Sequence, residues 1–221
     1  MSDAALALDP AADSAKRQQV LDGARRVFLE QGFDGASIND IVRAAGVSKG
    51  TLYAYFPSKE KLFEALISID KRQQVDRTCS KYLNDMRPIA EVLLEIARNF
   101  PSKLTENPQS LAYLRMVMGA AAKFPEIGRA FYDAGPRYGN EVMSRFMKER
   151  VAKGELVIAE QDLALAAHQF IDLCNSVQLK ARLFCVEDEF PAERRERIAQ
   201  SAVRVFLAAY GAGQNAQRSG A

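Results

Sequence analysis

The sequence is poor in the residues from which most active sites and metal centres are built. It has one histidine, three cysteines and no tryptophan among 221 residues. Metal sites and nucleophile–base pairs need clusters of such side chains, and neither such a cluster nor a phosphate-binding loop stands out along the chain. We therefore expect no enzymatic activity, no metal and no cofactor.

The three cysteines, Cys79, Cys174 and Cys185, are an odd number, and no secretory signal precedes the first predicted helix. Both features are typical of a protein of the reducing cytoplasm. We expect buried, inert thiols, with a thiol that senses redox state as the alternative.

Long apolar runs and strand patterns are also missing. No run approaches the roughly 20 apolar residues that span a bilayer, so we expect no membrane contact. Strict alternation of apolar and polar residues is hard to find, and prolines stand at apparent helix starts. With 48% hydrophobic residues, the chain predicts an all-α fold. The net charge of +2 is weak for a nucleic-acid-binding protein, so any basic surface must be local.

The most informative stretch is residues 37 to 63, SINDIVRAAGVSKGTLYAYFPSKEKLF. Ser37 is a candidate N-cap for one helix, and Gly46 suits the left-handed conformation that closes it. Ser48 is a candidate N-cap for a short helix over about residues 49 to 56. Two short helices joined by such a turn predict a helix-turn-helix, which inserts its second helix into the major groove of DNA.

The faces of the second helix support this interpretation. At 100° per residue, Leu52, Tyr55 and Phe56 share one side, which we expect to be core. The opposite side carries the small residues Gly50 and Ala54. Its flanks offer a cation, a hydroxyl and a phenol, from Lys49, Thr51 and Tyr53. Such groups contact phosphates and base edges. The alternative is a plain helical corner in a helical protein.

The segment AAGVSKGTLYAYFPSKEKLF resembles the TetR/AcrR family of bacterial transcriptional regulators, and the similarity extends over about residues 16 to 66. The resemblance implies DNA contacts from the recognition helix and a phosphate contact from Lys59. The predicted DNA-binding residues are Ser37, Asn39, Ser48, Lys49, Gly50, Thr51, Tyr53, Tyr55 and Lys59.

Four regions are predicted along the chain. Residues 1–13 form a disordered tail, 14–66 the N-terminal three-helix DNA-binding domain, 67–210 a C-terminal helical ligand-binding and dimerisation domain, and 211–221 a flexible tail. Residues 124 to 156 resemble the C-terminal domain of AefR-like TetR regulators, which implies a ligand-responsive dimer.

The last two predicted helices, over about residues 160–184 and 191–210, are apolar around more than one stripe. A helix that packs only within its own domain needs one stripe, so we expect an intermolecular four-helix bundle. A helix buried centrally in its own domain is the alternative. The predicted dimer-interface residues are Phe170, Cys174, Val177, Ile198, Ala202, Val205, Phe206 and Ala209.

The resemblance also implies an effector pocket between helices of the C-terminal domain. Methionine and aromatic residues make an adaptable apolar wall, although the same residues at helical spacing also form an ordinary core. The candidates are Met116, Phe124, Phe131, Tyr132, Phe146, His168 and Phe170.

We therefore predict a cytoplasmic homodimer that binds a palindromic operator in double-stranded DNA. It is expected to act as a repressor that a small apolar effector releases, and an activator would use the same residues. A helical small-molecule-binding or protein-docking module without DNA binding is the alternative from another class. An acidic or bulky recognition face would favour that alternative.

Overall fold

A computed structural model describes residues 10–105, 108–175, 177–187 and 190–213. These residues form helices and contain no strand, apart from an isolated bridge between Leu156 and Gly211. The helices are α1 (Pro10–Gly35), α2 (Ile38–Ala45), α3 (Lys49–Tyr55), α4 (Lys59–Cys79), α5 (Ile89–Thr105), α6 (Pro108–Ala121), α7 (Pro125–Tyr132), α8 (Tyr138–Ala152), α9 (Leu163–Asn175), α10 (Gln178–Leu183) and α11 (Ala192–Tyr210). The predicted all-α fold is confirmed.

The helix-turn-helix of α2 and α3 forms through the predicted capping residues. The Ser37 hydroxyl accepts a hydrogen bond from the third residue after it, and Ser48 does the same at the start of α3. Gly46 ends α2 with φ 65° and ψ 36°, a left-handed conformation that glycine adopts without strain. Phe56 is extended and Pro57 follows it, so α3 stops after two turns.

The N-terminal compact unit comprises the chain up to residue 69 together with residues 116–131. Its centre is aromatic: the Phe63 ring lies 4.7 Å from Phe28 and 4.9 Å from Phe33, measured between ring centroids. Phe124, just before α7, packs edge-on against Phe33 at 5.5 Å. This unit is therefore larger than the predicted domain 14–66, because a distant segment completes its core.

The predicted tails differ from the structure at their inner ends. Helix α1 begins at Pro10 and includes residues 10–13, which were assigned to the tail. At the other end, the Ala212 N–H donates to the Glu155 carbonyl at 3.2 Å, so the chain is bonded to the C-terminal unit beyond residue 210. Residues 1–9 and 214–221 lie outside the described part of the chain.

The C-terminal compact unit comprises residues 70–115 and the chain from residue 132 onward. Helices α5, α8, α9 and α11 surround its core. The Phe170 and Phe206 rings meet edge-on at 5.1 Å in that core, and Phe146 is also buried there. Because α11 packs against both α5 and α9, one face of α11 is buried within this unit.

One predicted helix of this unit differs from its expected bounds: the helix over 160–184 is divided into α9 and α10. Between α7 and α8, a π-helical segment, Asp133–Arg137, joins the two helices. Pro136 lies inside it and has no N–H to donate, so the usual helical bond is lost and the register shifts there.

Within the described residues, every helix is too short or too polar to cross a bilayer. The same part of the chain brings together no group of three histidine, cysteine or carboxylate side chains that could hold a metal ion.

Candidate nucleic-acid interface

Helix α3 has one buried face and one open face. Leu52 is fully buried and Phe56 nearly so, and these two side chains anchor the helix in the N-terminal unit. Gly50, Ala54 and Tyr53 are exposed, with 48% of Tyr53 accessible. Lys49 is exposed as well, and Thr51 is half-buried. The small residues therefore point outward, as the sequence predicts, between a cation and a phenol.

Gly23 and Gly50 differ in how closely other groups of the protein approach them. A Cβ at Gly23 would lie 2.5 Å from the Ala45 Cβ, so glycine is required there for α1 to meet α2. A Cβ at Gly50 would meet only the Ser48 hydroxyl, at an ordinary 3.7 Å. No contact in the described part of the chain requires Gly50 to lack a side chain. A small residue there leaves room for a surface that approaches α3 from outside.

The capping hydroxyls of the predicted site are engaged within the protein. Ser37 Oγ accepts the Asp40 N–H at 3.1 Å and donates to that carboxylate at 2.6 Å. Ser48 Oγ accepts the Thr51 N–H at 3.0 Å and lies 2.9 Å from the Thr51 hydroxyl. These bonds fix the start of each helix. Asn39 is exposed in the first turn of α2, where the helix dipole is positive.

Lys59 has a role that the sequence does not indicate. Its Nζ donates to the carbonyls of Phe33 and Ala36 at 2.8 Å and 3.0 Å, and it lies 4.6 Å from the centroid of the Phe33 ring. A cation among carbonyls at the end of α1 interacts favourably with the negative end of the helix dipole. Two of its three N–H donors are thus used within the unit, and its phosphate contact stays a prediction.

Tyr55 is also bonded inside the unit. Its hydroxyl donates to Asp13 Oδ1 at 2.7 Å, across 42 residues of sequence. This hydrogen bond to a carboxylate is the main cause that raises the pKa of Tyr55 above its ordinary value. Tyr55 is half-buried, so the expected core position is met in part. Its DNA contact stays a prediction. No local pattern in the sequence points to Asp13.

The basic residues near α3 are partly engaged with backbone and side chains. The Arg17 guanidinium lies 5.2 Å from the centroid of the Phe56 ring, Arg25 pairs with Asp22 at 2.6 Å, and Arg26 donates to the Ala44 carbonyl. Lys16 and Lys49 are exposed. Positive charge on this surface therefore comes from individual side chains such as Lys16 and Lys49, and not from a large net charge of the chain.

The seven predicted effector residues divide between the two units. Met116, Phe124 and Phe131 belong to the N-terminal unit, and Tyr132, Phe146, His168 and Phe170 belong to the C-terminal unit. Phe146 and Phe170 are buried core residues, whereas Tyr132 is exposed. His168 is exposed, and its Nδ1 lies 2.7 Å from the Asn140 amide nitrogen. A pocket built by these residues stays a prediction.

Four of the predicted dimer-interface residues are corrected by the structure. These four are buried within the C-terminal unit, with exposed fractions of 2% or less: Phe170, Cys174, Ala202 and Phe206. All four belong to the buried core of the same chain, so they cannot present an open surface to a partner. The alternative left open by the sequence, a helix used by its own core, is correct for this face of α11.

The other four predicted interface residues lie on the outer side. Val177 and Val205 are exposed, Ala209 is exposed, and Ile198 is half-buried. A surface groove of about 790 Å³ runs along α11 past Val177, Ile198 and Ser201. Leu165 on α9 is also exposed.

Comparisons with known proteins agree with the fold. Residues 20–66 match the family described as bacterial regulatory proteins, tetR family. Residues 91–212 match the C-terminal domain of AefR-like transcriptional repressors.

Among curated proteins, the HTH-type transcriptional repressor AcnR of Corynebacterium efficiens is 42% identical over 60 residues, which are 27% of this chain and 32% of that protein. The chain thus spans about a third of the length of such curated relatives.

Two solved structures extend the similarity over almost the whole chain. A TetR-family regulator from Mesorhizobium loti superimposes with a TM-score of 0.81 at 23% identity, covering 90% of this chain and 98% of that one. The flavonoid-responsive regulator FrrA superimposes with a TM-score of 0.73 at 30% identity, with the same coverage of the two chains. These relatives are regulators of transcription rather than enzymes. The chain belongs to the TetR family of bacterial transcriptional regulators, and α2 and α3 form its DNA-binding helix-turn-helix.

Proposed function

We propose that the chain is a cytoplasmic homodimeric repressor that binds a palindromic operator and is released by a small apolar effector. The observation that carries this proposal is the open face of α3, where Gly50 and Ala54 leave the helix axis free to approach a base-paired surface. An α-helix enters the major groove only when its exposed centre does not hold it away from the base pairs.

The groups around that face suit the two kinds of contact that DNA offers. The Tyr53 phenol is the most prominent exposed group of α3, and we assign it to base edges or to the adjacent backbone. Lys49 supplies a cation for a phosphate, and Thr51 a methyl and a hydroxyl. Asn39 reaches the backbone from the start of α2.

The two capping serines contribute through backbone geometry rather than through free hydroxyls. Their side chains already accept helical N–H groups, which fixes the remaining N–H groups at the starts of α2 and α3. Such helix starts favour a phosphate. We therefore assign Ser37 and Ser48 to positioning of the DNA-contacting helices.

Dimerisation is proposed through the outer side of α11 and the residues beside it. The exposed side chains of Val177, Val205 and Ala209, with Ile198 and Leu165, form the revised interface. A two-fold dimer would place two recognition helices in successive major grooves, about 34 Å apart. The operator is then expected to be palindromic.

Effector control follows from linkage between the two binding events. A ligand that prefers the arrangement unable to bind DNA weakens DNA binding by its affinity difference between the two arrangements. A hundredfold release requires a difference of about 2.7 kcal/mol. Because the FrrA regulator is described as flavonoid-responsive, flavonoids are the first compounds to test as effectors.

Selection of bound fragments from random duplex DNA tests the DNA-binding proposal most simply. Wild-type protein should enrich one sequence with two-fold symmetry, and the Tyr53→Ala variant should bind it more weakly by about 1 to 3 kcal/mol, with its helical circular dichroism unchanged. Enrichment of an asymmetric site would remove the dimer from the proposal. No enrichment at all would overturn the DNA-binding proposal itself.

A further inference from the structure

The start of α1 is bonded to the end of the recognition helix. Asp13 lies in the first turn of α1, and its Oδ1 accepts the hydroxyl proton of Tyr55, the last residue of α3, at 2.7 Å. Asp13 precedes residues 20–66, the segment that matches the family model. The contact is therefore a feature of this chain that the family match does not cover.

The Tyr55 hydroxyl has one proton to donate, and two acceptors would claim it. A phosphate oxygen is an acceptor with negative charge, as is the Asp13 carboxylate. Tyr55 is one of the predicted DNA-binding residues, and its position at the end of α3 suits a contact with the DNA backbone. If it makes that contact, a phosphate has to displace Asp13 or lie against the hydroxyl oxygen without receiving its proton. Two acceptors that share one phenol oxygen would also lie only about 4 to 5 Å apart, since each stands near 2.7 Å from it.

Competition and repulsion therefore act in the same direction. While Asp13 holds the hydroxyl, the phosphate loses a hydrogen bond and meets a like charge. Both effects weaken backbone contact and leave the exposed groups of α3, such as Tyr53, unchanged.

We infer that Asp13 stands in for a DNA phosphate in the free protein and competes with the DNA backbone for the Tyr55 hydroxyl. The inference rests on the proposed DNA-binding function. Phosphate contacts carry no sequence information, so Asp13 lowers affinity for every duplex by a similar factor. Discrimination between sequences then depends more on the groups that face base edges.

A double-mutant cycle on DNA affinity separates this role from a purely structural one. In the wild-type background, Tyr55→Phe should change the affinity less than about twofold, because the hydroxyl is already occupied. In the Asp13→Ala background, the freed hydroxyl should bond a phosphate, and Tyr55→Phe should then weaken binding about tenfold, as expected for a hydrogen bond to a charged acceptor.

Two further variants isolate the charge. Asp13→Asn keeps an acceptor for the hydroxyl and removes the negative charge, and should tighten binding about fivefold at low salt, the factor expected for two unit charges about 4 Å apart in water. This gain should shrink as salt rises. Glu30→Gln changes the same charge on the exposed surface of α1, about 25 Å further along the helix, and should leave DNA affinity unchanged.

The possible results are distinct. An equal effect of Tyr55→Phe in both backgrounds, or weaker binding by both Asp13 variants, would overturn the inference and make Asp13 a residue that positions Tyr55 for DNA. If wild-type protein binds no duplex, the proposed function fails and the inference fails with it. If Asp13→Ala proves unfolded by circular dichroism, tighter binding by Asp13→Asn still supports the inference, and unchanged binding overturns it.

Discussion

The contacts within the helix-turn-helix and those within the C-terminal unit differ in how far apart along the chain the bonded residues lie. At the starts of α2 and α3, Ser37 and Ser48 each bond the third residue after them. In the C-terminal unit, Arg150 binds the Arg87 carbonyl 63 residues away, and Arg98 pairs with Glu196 across 98 residues. Short-range contacts form wherever their local sequence occurs, whereas the distant contacts require the whole unit to fold. The starts of α2 and α3 are thus specified locally, whereas the arrangement of the C-terminal helices is not.

Charged substitutions on the two faces of α11 test which face is buried in its own chain and which is open to a partner. Ala202→Glu would bury an unpaired carboxylate in the core and should lower the free energy of unfolding by more than about 4 kcal/mol. Ala209→Glu places the same charge on the exposed side and should leave the protomer folded while raising the dimer dissociation constant at least tenfold. Thermal unfolding and sedimentation measure the two effects. An Ala202→Glu protein as stable as wild type, or an unchanged dimer with Ala209→Glu, would contradict the assignment of the two faces.

Arg150 tests how far the C-terminal unit depends on distant contacts. Its guanidinium is 2% exposed and bonds the carbonyls of Asp85 and Arg87 and the carboxylate of Glu155. Arg150→Ala leaves these acceptors without their donor, and should lower the free energy of unfolding by about 3 to 5 kcal/mol in urea denaturation. The exposed Arg145 on the same helix is the control, and its replacement by alanine should change stability by less than about 0.5 kcal/mol. Equal effects of the two variants would mean that the buried network contributes little.

Alanine substitutions at Gly23 and Gly50 test whether each glycine is needed for packing within the protein. Gly23→Ala forces a Cβ to within 2.5 Å of Ala45 and should lower the free energy of unfolding by about 1 to 3 kcal/mol. Gly50→Ala meets no such obstacle and should not destabilise the protein. Chemical denaturation of the two variants measures both. If Gly50→Ala were the more destabilising change, α3 would have an internal packing role that the structure does not give it.

Lys59 is a predicted DNA contact whose ammonium group is bonded inside the N-terminal unit. Lys59→Met removes the cation from the end of α1 and should lower the free energy of unfolding by about 1 to 2 kcal/mol. Lys61→Met removes an exposed cation paired with Glu64 and should change it by less than about 1 kcal/mol. The salt dependence of DNA binding is a second measurement, since its slope falls by about 1 if Lys59 meets a phosphate. Unchanged stability would show that the two carbonyl bonds are not maintained.

The last prediction concerns the order in which two cysteines are alkylated. Burial raises the pKa of the Cys174 thiol to about 12, so almost none of it is thiolate at pH 8, and alkylation of the folded protein should not reach it. Cys185 is exposed and should be modified first. Mass spectrometry after brief treatment with iodoacetamide measures the order of modification. Modification of Cys174 before Cys185 would mean that the core around α9 opens readily.

The sequence predicted the local parts of this structure well. The caps Ser37 and Ser48, the turn at Gly46 and the outward position of Gly50 follow from residue types at fixed spacing, and each is confirmed. The family was predicted from the same segment, and the all-α fold from the lack of strand patterns along the chain. These features depend on neighbours within a few residues, which is the information that a single sequence carries most directly.

What the sequence could not predict depends on distant partners. Apolar stripes on α11 indicate burial, but they do not say whether Ala202 and Phe206 face the same chain or another one. The bond between Asp13 and Tyr55 joins residues that no local pattern relates. The effector candidates share a residue type, yet they fall into two different units. In each case, the missing information is which surfaces meet in three dimensions.

The open face of α3 is the claim on which the proposed function depends, and enlarging it tests that claim directly. Gly50→Leu should weaken binding to the selected operator at least a hundredfold, because the added side chain holds α3 away from the base pairs. Gly119→Leu is the matched control, since Gly119 is exposed in the same unit and a Cβ there meets nothing within 4 Å. Fluorescence anisotropy at one fixed salt concentration measures both affinities. Equal affinities for the two folded variants would contradict the assignment of α3 to the DNA interface.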